Sequence, residues 1–237
     1  MSNSCYHLLS SFVNLHVLGL HQISLYRLPI HVFIIILCLI IALLSKFQKN
    51  PPHYLNSFII YIILTITIEM FAWWYSLHRK NNLIFYNFYT IPNITYLLYL
   101  VRSFLSNSKV IRMLDIFIIV YPGIALVNII RTPHTFNTYA FLIGCTLVVI
   151  ATICYFYERI KYPGPQSLLK DPTFWISTGL LFYYTCSLPL NGILNFISNM
   201  PFYVYTTIYF INVVINIILY LLFSISFLCN LISRKSS

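Results

Sequence analysis

The chain has 237 residues, of which 59% are hydrophobic and only 8% are charged, and its formal net charge is +10. Soluble domains carry about 25% charged residues, so this composition excludes a water-soluble globular protein. The basic residues lie at the ends of apolar segments, which is typical of membrane proteins rather than of nucleic-acid-binding proteins. The sequence therefore predicts an all-α, polytopic membrane protein.

Seven segments are long and apolar enough to be transmembrane helices, since a span needs roughly 20 predominantly apolar residues. The predicted bundle covers residues 28–231, with a leader at 1–27 that is either a short interfacial helix or disordered, and a cytoplasmic tail at 232–237. No segment outside the bundle can hold a soluble catalytic domain. In chain order, the predicted spans are 28–45, 55–75, 83–101, 110–130, 139–157, 174–196 and 204–228.

Basic residues are distributed unevenly between the two sides of the predicted spans. Ten of the 14 Lys and Arg residues lie on the side that carries the C-terminus. Because basic loops stay in the cytoplasm, the sequence predicts an N-terminus outside and a C-terminus inside, in the cell inner (plasma) membrane. The longest internal loop, 158–172, is then either a solvated cytoplasmic connector or a docking surface for a cytoplasmic partner.

Polar side chains recur every three or four residues on the second, third, sixth and seventh spans. In hydrocarbon such side chains turn toward the bundle interior. We therefore expect these four helices to line the interior, and the first and fifth spans, which are almost purely apolar, to meet more lipid. The outer halves of the four stripes converge on a predicted ligand pocket that opens outward, lined by Glu69, Tyr86, Thr90, Asn93, Asn191, Tyr209 and Asn212.

Two acidic residues within the spans receive different interpretations. Glu69 is the only carboxylate in the outer half of any span, and an intramembrane acid is a functional-site hypothesis by default. Three roles are open for it: a protonated hydrogen-bonding partner, a counter-ion for a cationic or amine-bearing ligand, or a proton relay. Asp115 lies three residues after Arg112 at the inner end of the fourth span, so this pair is predicted to be a structural ion pair.

The sequence lacks the motifs of several functional classes. It carries no H-E-x-x-H pair, no facing histidines for haem, no Gly-rich phosphate loop, no serine elbow and no lysine in the seventh span for retinal. Its six cysteines form no C-x-x-C pair. We therefore expect no metal, no cofactor and no enzymatic activity.

Several short motifs resemble those of uncharacterised seven-helix membrane proteins of Bacteroidota-type bacteria, which are similar in layout to the membrane region of seven-helix sensor histidine kinases. The resemblance implies a sensory or accessory protein that acts through a cytoplasmic partner such as a histidine kinase. The buried acid and a hint of an internal repeat favour the alternative, a small secondary transporter or channel that uses Glu69. The motifs are Thr67-Ile68-Glu69, Asn81-Asn82, Tyr86-Asn87 and Asp171-Pro172-Thr173-Phe174-Trp175-Ile176, followed by the asparagines of the seventh span.

Overall fold

The computed structural model describes residues 30–47, 51–78, 82–131, 136–163, 167–193 and 202–233. Over these ranges it contains seven α-helices, a short 3₁₀ helix at Leu168–Lys170 and no β-strand, which confirms the all-α class. The leader at 1–27, residues 194–196 of the predicted sixth span and residues 234–237 of the tail lie outside the described ranges. The α-helices are α1 Ile30–Lys46, α2 Leu55–Leu77, α3 Leu83–Arg102, α4 Ser108–Arg131, α5 Thr138–Lys161, α6 Pro172–Ile193 and α7 Phe202–Ser233.

Four of these helices are long and apolar enough to cross a membrane. They are α2, α4, α5 and the Thr207–Leu231 part of α7, while α1 is apolar but has only 17 residues. Neither α3 nor α6, which contain Pro92 and Pro189, is among these four helices. The four apolar helices indicate a membrane-inserted protein.

Six helices form a closed ring, and the seventh lies outside it. In the ring, each helix packs against the next in the order α1, α2, α3, α5, α6, α7 and back to α1, whereas α4 packs against the outer side of α3 and α5. The closed ring leaves an enclosed interior between its helices, and α4 has no access to that interior.

The ring overturns the expectation that the fifth span meets more lipid. Within the most apolar stretch of each helix, 44% of residues are buried in α5, against 22% in α4. Small residues such as Ala140, Gly144 and Ala151 are buried on α5, where they allow close approach of neighbouring helices. On α4, by contrast, large residues such as Ile119 and Val127 are exposed and suited to contact lipid.

The predicted ion pair between Arg112 and Asp115 is wrong, because Asp115 pairs with Arg102 instead. The Arg102 Nε donates to Asp115 Oδ1 at 2.8 Å and its Nη2 donates to Oδ2 at 3.1 Å. Such two-point contact matches the planar guanidinium to both carboxylate oxygens. Arg112 is exposed, and the described part of the chain offers it no ion pair. The Arg102–Asp115 contact therefore joins α4 to the ring helix α3.

This ion pair yields a stability prediction. We expect Asp115→Asn to lower the melting temperature of the detergent-solubilised protein, because the substitution removes a charged contact that joins α4 to α3. Arg112→Gln is the control, since it removes a neighbouring charge that makes no such contact, and it is expected to leave the melting temperature unchanged. Equal losses in the two variants would contradict the assignment of the pair.

Two of the acidic residues have structural roles at the ends of the loop between α5 and α6. Glu158 accepts backbone N–H groups of Ser106 and Asn107, at 2.7 and 3.2 Å, and so ties the turn before α4 to the end of α5. Asp171 caps α6, since its Oδ1 accepts the N–H of Thr173 at 2.9 Å, and its Oδ2 lies 3.1 Å from Arg159 Nη2. Docking of a partner on this loop stays a prediction.

The cap and the ion pair of Asp171 can be separated by mutation. Asp171→Ala removes both and is expected to lower the free energy of unfolding by about 1–2 kcal/mol. Asp171→Asn keeps a side-chain oxygen for the cap and loses only the charge opposite Arg159, so a smaller loss is expected. Unfolding in mixed detergent and SDS micelles measures both variants. If Asn is as harmful as Ala, the ion pair rather than the cap stabilises this end of α6.

Candidate ligand-binding site

A cavity of about 310 Å³ lies within the ring of six helices. Each ring helix contributes to its wall, including α1 through His31 and α5 through Phe141, while α4 contributes none of the described lining residues. The structure brings together all seven side chains of the predicted pocket, and binding of a ligand there stays a prediction. They are Glu69, Tyr86, Thr90, Asn93, Asn191, Tyr209 and Asn212.

The cavity lies toward one end of the bundle, which we call the cavity end. His31, Asn82 and Ile208 line it near the beginnings of α1, α3 and α7, and Asn191 lines it near the end of α6. Along α3 the lining runs from Asn82 to Asn93, which corresponds to about 16 Å at 1.5 Å per residue. The cavity therefore extends along about half the length of α3.

Glu69 lies in the cavity wall with two polar neighbours. Its Oε2 accepts a hydrogen bond from the Tyr86 hydroxyl at 3.2 Å and lies 3.5 Å from His31 Nε2. The Glu69 and His31 side chains are only 19% and 13% exposed. His31 Nδ1 is buried and has no hydrogen-bond partner in the described ranges.

Sequence reasoning missed His31, because this residue lies at the end of a segment that is otherwise almost purely apolar. The position of His31 on the inward face could have been predicted from the spacing of residues along α1. His31, Ile35, Cys38, Ala42 and Ser45 follow one another at intervals of three or four, and the last four are buried. His31 therefore begins the face of α1 that turns toward the bundle.

A ladder of hydrogen bonds joins α2 to α3 beside the cavity. Its members on α2 recur every four residues, and its members on α3 recur every three or four. The ladder fixes the register of the two antiparallel helices over about 18 Å of α2. From the cavity end, the four pairs are Glu69–Tyr86 at 3.2 Å, Thr65–Tyr89 at 2.6 Å, Tyr61–Asn93 at 3.0 Å and Ser57–Tyr96 at 3.4 Å.

Asn93 extends this ladder across the inner end of the cavity. Its Oδ1 accepts from the Tyr61 hydroxyl at 3.0 Å, and its Nδ2 donates to the Tyr184 hydroxyl at 3.4 Å. One amide thus connects α2, α3 and α6. This arrangement closes the cavity with satisfied polar groups, which is the condition under which buried polar side chains are tolerated.

Three other predicted pocket residues differ in the hydrogen-bond partners of their side chains. Thr90 Oγ1 donates to Tyr86 O at 2.7 Å, and Asn191 Nδ2 donates to Ser187 O at 2.9 Å, so both bond to their own helices. Asn212 Oδ1 is buried and has no hydrogen-bond partner in the described ranges. The side-chain oxygen of Asn212, a residue of the cavity wall, is therefore an acceptor that the described residues do not use.

No protein-family model, curated protein or solved structure matches the chain. The resemblance to seven-helix membrane proteins therefore stays a prediction that rests on short motifs. In the described ranges, no three His, Cys, Asp or Glu side chains come together as metal ligands. The functional argument rests on the cavity and on the distribution of charge along the bundle.

Proposed function

We propose that the protein crosses the cell inner membrane seven times, with its N-terminus outside and its cavity open to the exterior. Charge supports this orientation, because cytoplasmic loops are rich in Lys and Arg. Among the described basic residues, only Arg131 lies at the cavity end. Those at the opposite end are Lys46, Arg102, Lys109, Arg112, Arg159, Lys161 and Lys170.

Thiol labelling in right-side-out membrane vesicles tests this orientation. In a variant without native cysteines, Tyr209→Cys in the cavity wall is expected to react with a membrane-impermeant maleimide added outside. The control is Asn107→Cys, an exposed position at the opposite end, which is expected to react only after permeabilisation. The reverse pattern would overturn the orientation.

We infer that the protein is a sensory or accessory protein that binds a small polar ligand in the cavity and acts through a cytoplasmic partner, such as a histidine kinase. The observation that carries this inference is that all six ring helices contribute to the wall of one cavity. A ligand that contacts six helices can favour one packing of the ring over another, and the opposite ends of the same helices face the proposed cytoplasmic side.

Binding and transport assays on the reconstituted protein test this function. The probes are organic ammonium ions, carboxylic acids, sugars and nucleosides, added to the protein in nanodiscs and to proteoliposomes. We expect one probe class to raise the melting temperature without entering the liposomes. Absence of stabilisation by every class, or uptake that is lost in Glu69→Gln, would overturn the sensory assignment.

A small secondary transporter is the second candidate, and the contact between His31 and Glu69 favours it. An imidazole and a carboxyl group that meet at membrane depth can exchange a proton, and such pairs are common along transport pathways. Uptake of a probe driven by a pH gradient, with loss of coupling in His31→Gln, would support this candidate over the sensory one.

A further inference from the structure

The formal charges of the residues around the cavity indicate the sign of the charge on its ligand. Glu69 is the only Asp or Glu among the described lining residues, and none of them is Lys or Arg. His31 Nε2 lies 3.5 Å from Glu69 Oε2, so this imidazole is already a partner of the carboxylate. An anion placed here would lose its hydration beside a carboxyl group, with no Lys or Arg among the described lining residues to compensate. A cation, by contrast, gains the charge of Glu69.

The aromatic lining suits the body of an organic cation rather than a metal ion. Ring faces attract ammonium groups through their quadrupoles, and the rings also contact apolar carbon. A volume of about 310 Å³ is at the lower end of the range for small-molecule pockets. The aromatic residues are Tyr61, Tyr86, Tyr89, Tyr183, Tyr184, Tyr209, Tyr220, Phe136 and Phe141.

The cavity wall has hydrogen-bond acceptors that the described residues do not use, which favours a ligand head group that donates hydrogen bonds. Both contacts given for the Glu69 carboxylate, from His31 and from Tyr86, fall on Oε2, which leaves Oε1 as an acceptor. Asn212 Oδ1 is a second buried acceptor without a partner in the described part of the chain. A primary ammonium group has three N–H donors and no acceptor, so it matches these atoms better than a hydroxyl or a quaternary nitrogen does.

We propose that the cavity binds a small primary ammonium ion, with its nitrogen on the Glu69 carboxylate and its apolar body among the tyrosine rings. This proposal rests on the proposed ligand-binding function and names the ligand class of the same cavity. Glu69 is then the counter-ion of the ligand, and Asn212 accepts a further hydrogen bond from the ligand.

The decisive experiment compares head groups on one carbon body and uses the wild-type protein in nanodiscs. The probes are butylammonium and phenethylammonium, each matched with the alcohol and the carboxylate of the same chain. We expect the ammonium probes to raise the melting temperature and to bind at least about ten-fold more tightly than the alcohols, as a charge-assisted hydrogen bond requires. The carboxylates are expected not to bind.

A variant series assigns the effect to Glu69. Glu69→Gln keeps the size of the side chain and removes its charge, so ammonium binding is expected to weaken about 30-fold while the alcohols change little. Thr67→Val is the matched control, because Thr67 is exposed on the same helix and its hydroxyl donates to Ile63 O of that helix at 2.8 Å. This control is expected to bind as the wild type does.

The outcomes test the ammonium assignment separately from the wider proposal that the cavity binds a ligand. If alcohols, carboxylates, sugars or nucleosides stabilise the wild-type protein as well as the ammonium probes do, the ammonium assignment is overturned and ligand binding stands. If no probe of any class stabilises it, both proposals are overturned. Ammonium binding that survives unchanged in a folded Glu69→Gln variant overturns the role of Glu69 as counter-ion.

Discussion

Replacement of Gly144 by valine is expected to lower the free energy of unfolding by about 3 kcal/mol, because it overfills the contact between α3, α4 and α5. A Cβ atom at Gly144 would lie 2.8 Å from the Tyr121 hydroxyl and 2.9 Å from Ile94 Cγ1. Both neighbours are buried, and the Tyr121 hydroxyl also donates to Ala140 O at 3.3 Å. To accept two further methyl groups, the helices themselves must move apart.

Gly123 provides the control for this substitution. It lies on α4, and a Cβ atom there would meet nothing within 4 Å. Gly123→Ala is therefore expected to change the free energy of unfolding by less than about 1 kcal/mol. Unfolding in mixed SDS and detergent micelles measures both variants. Wild-type stability of Gly144→Val would contradict the close packing of α5 within the ring.

Hydropathy predicted the seven helices but not their places in the bundle. The predicted spans correspond in order to α1–α7, because a long apolar segment satisfies all its backbone hydrogen bonds within itself when it is a helix. The burial of α5 could not be predicted in this way, since Ala140 and Ala151 contribute the same hydropathy whether they face lipid or a neighbouring helix. Shape, rather than polarity, places α5 in the ring and α4 outside it.

The spacing of polar residues along the helices predicted the cavity residues, although hydropathy did not predict the places of the helices. A hydrogen-bonding group has a strong preference for the interior, so the spacing of Glu69, Asn93 and Asn212 records the inward face of each helix. The spacing cannot show which residues reach across between helices. Tyr89 fits the three-or-four spacing between Tyr86 and Asn93 but is not among the predicted pocket residues, and its long side chain extends to Thr65 on α2.

The wrong ion-pair prediction for Asp115 also arose because contacts between helices cannot be read from spacing along one helix. The prediction used proximity along one helix, where Arg112 is three residues away, and proximity along a helix can be read from sequence. The actual partner, Arg102, lies on another helix and beyond a turn. The turn that brings α3 beside α4 is itself fixed by a hydrogen bond to the Glu158 carboxylate, which lies near the end of α5. Contacts of this kind depend on the assembled bundle.

Asn93→Leu is expected to lower the free energy of unfolding by about 2 kcal/mol, since it removes two hydrogen bonds that each contribute about 1 kcal/mol. The substitution keeps the approximate volume of the side chain but takes the acceptor from Tyr61 and the donor from Tyr184. These groups join three helices, so a wider cavity and a less stable ring are the expected result.

A double-mutant cycle separates this hydrogen bonding from packing. Tyr61→Phe removes the hydroxyl that Asn93→Leu leaves without its acceptor, so the double variant is expected to lose about 1 kcal/mol less than the sum of the single losses. Thr146→Val is the control for a polar-to-apolar change, because Thr146 is exposed and its hydroxyl donates to Leu142 O within α5 at 2.9 Å. Strict additivity of the two substitutions would show that the Tyr61–Asn93 contact does not stabilise the ring, and the ladder between α2 and α3 would then follow from the packing of those helices.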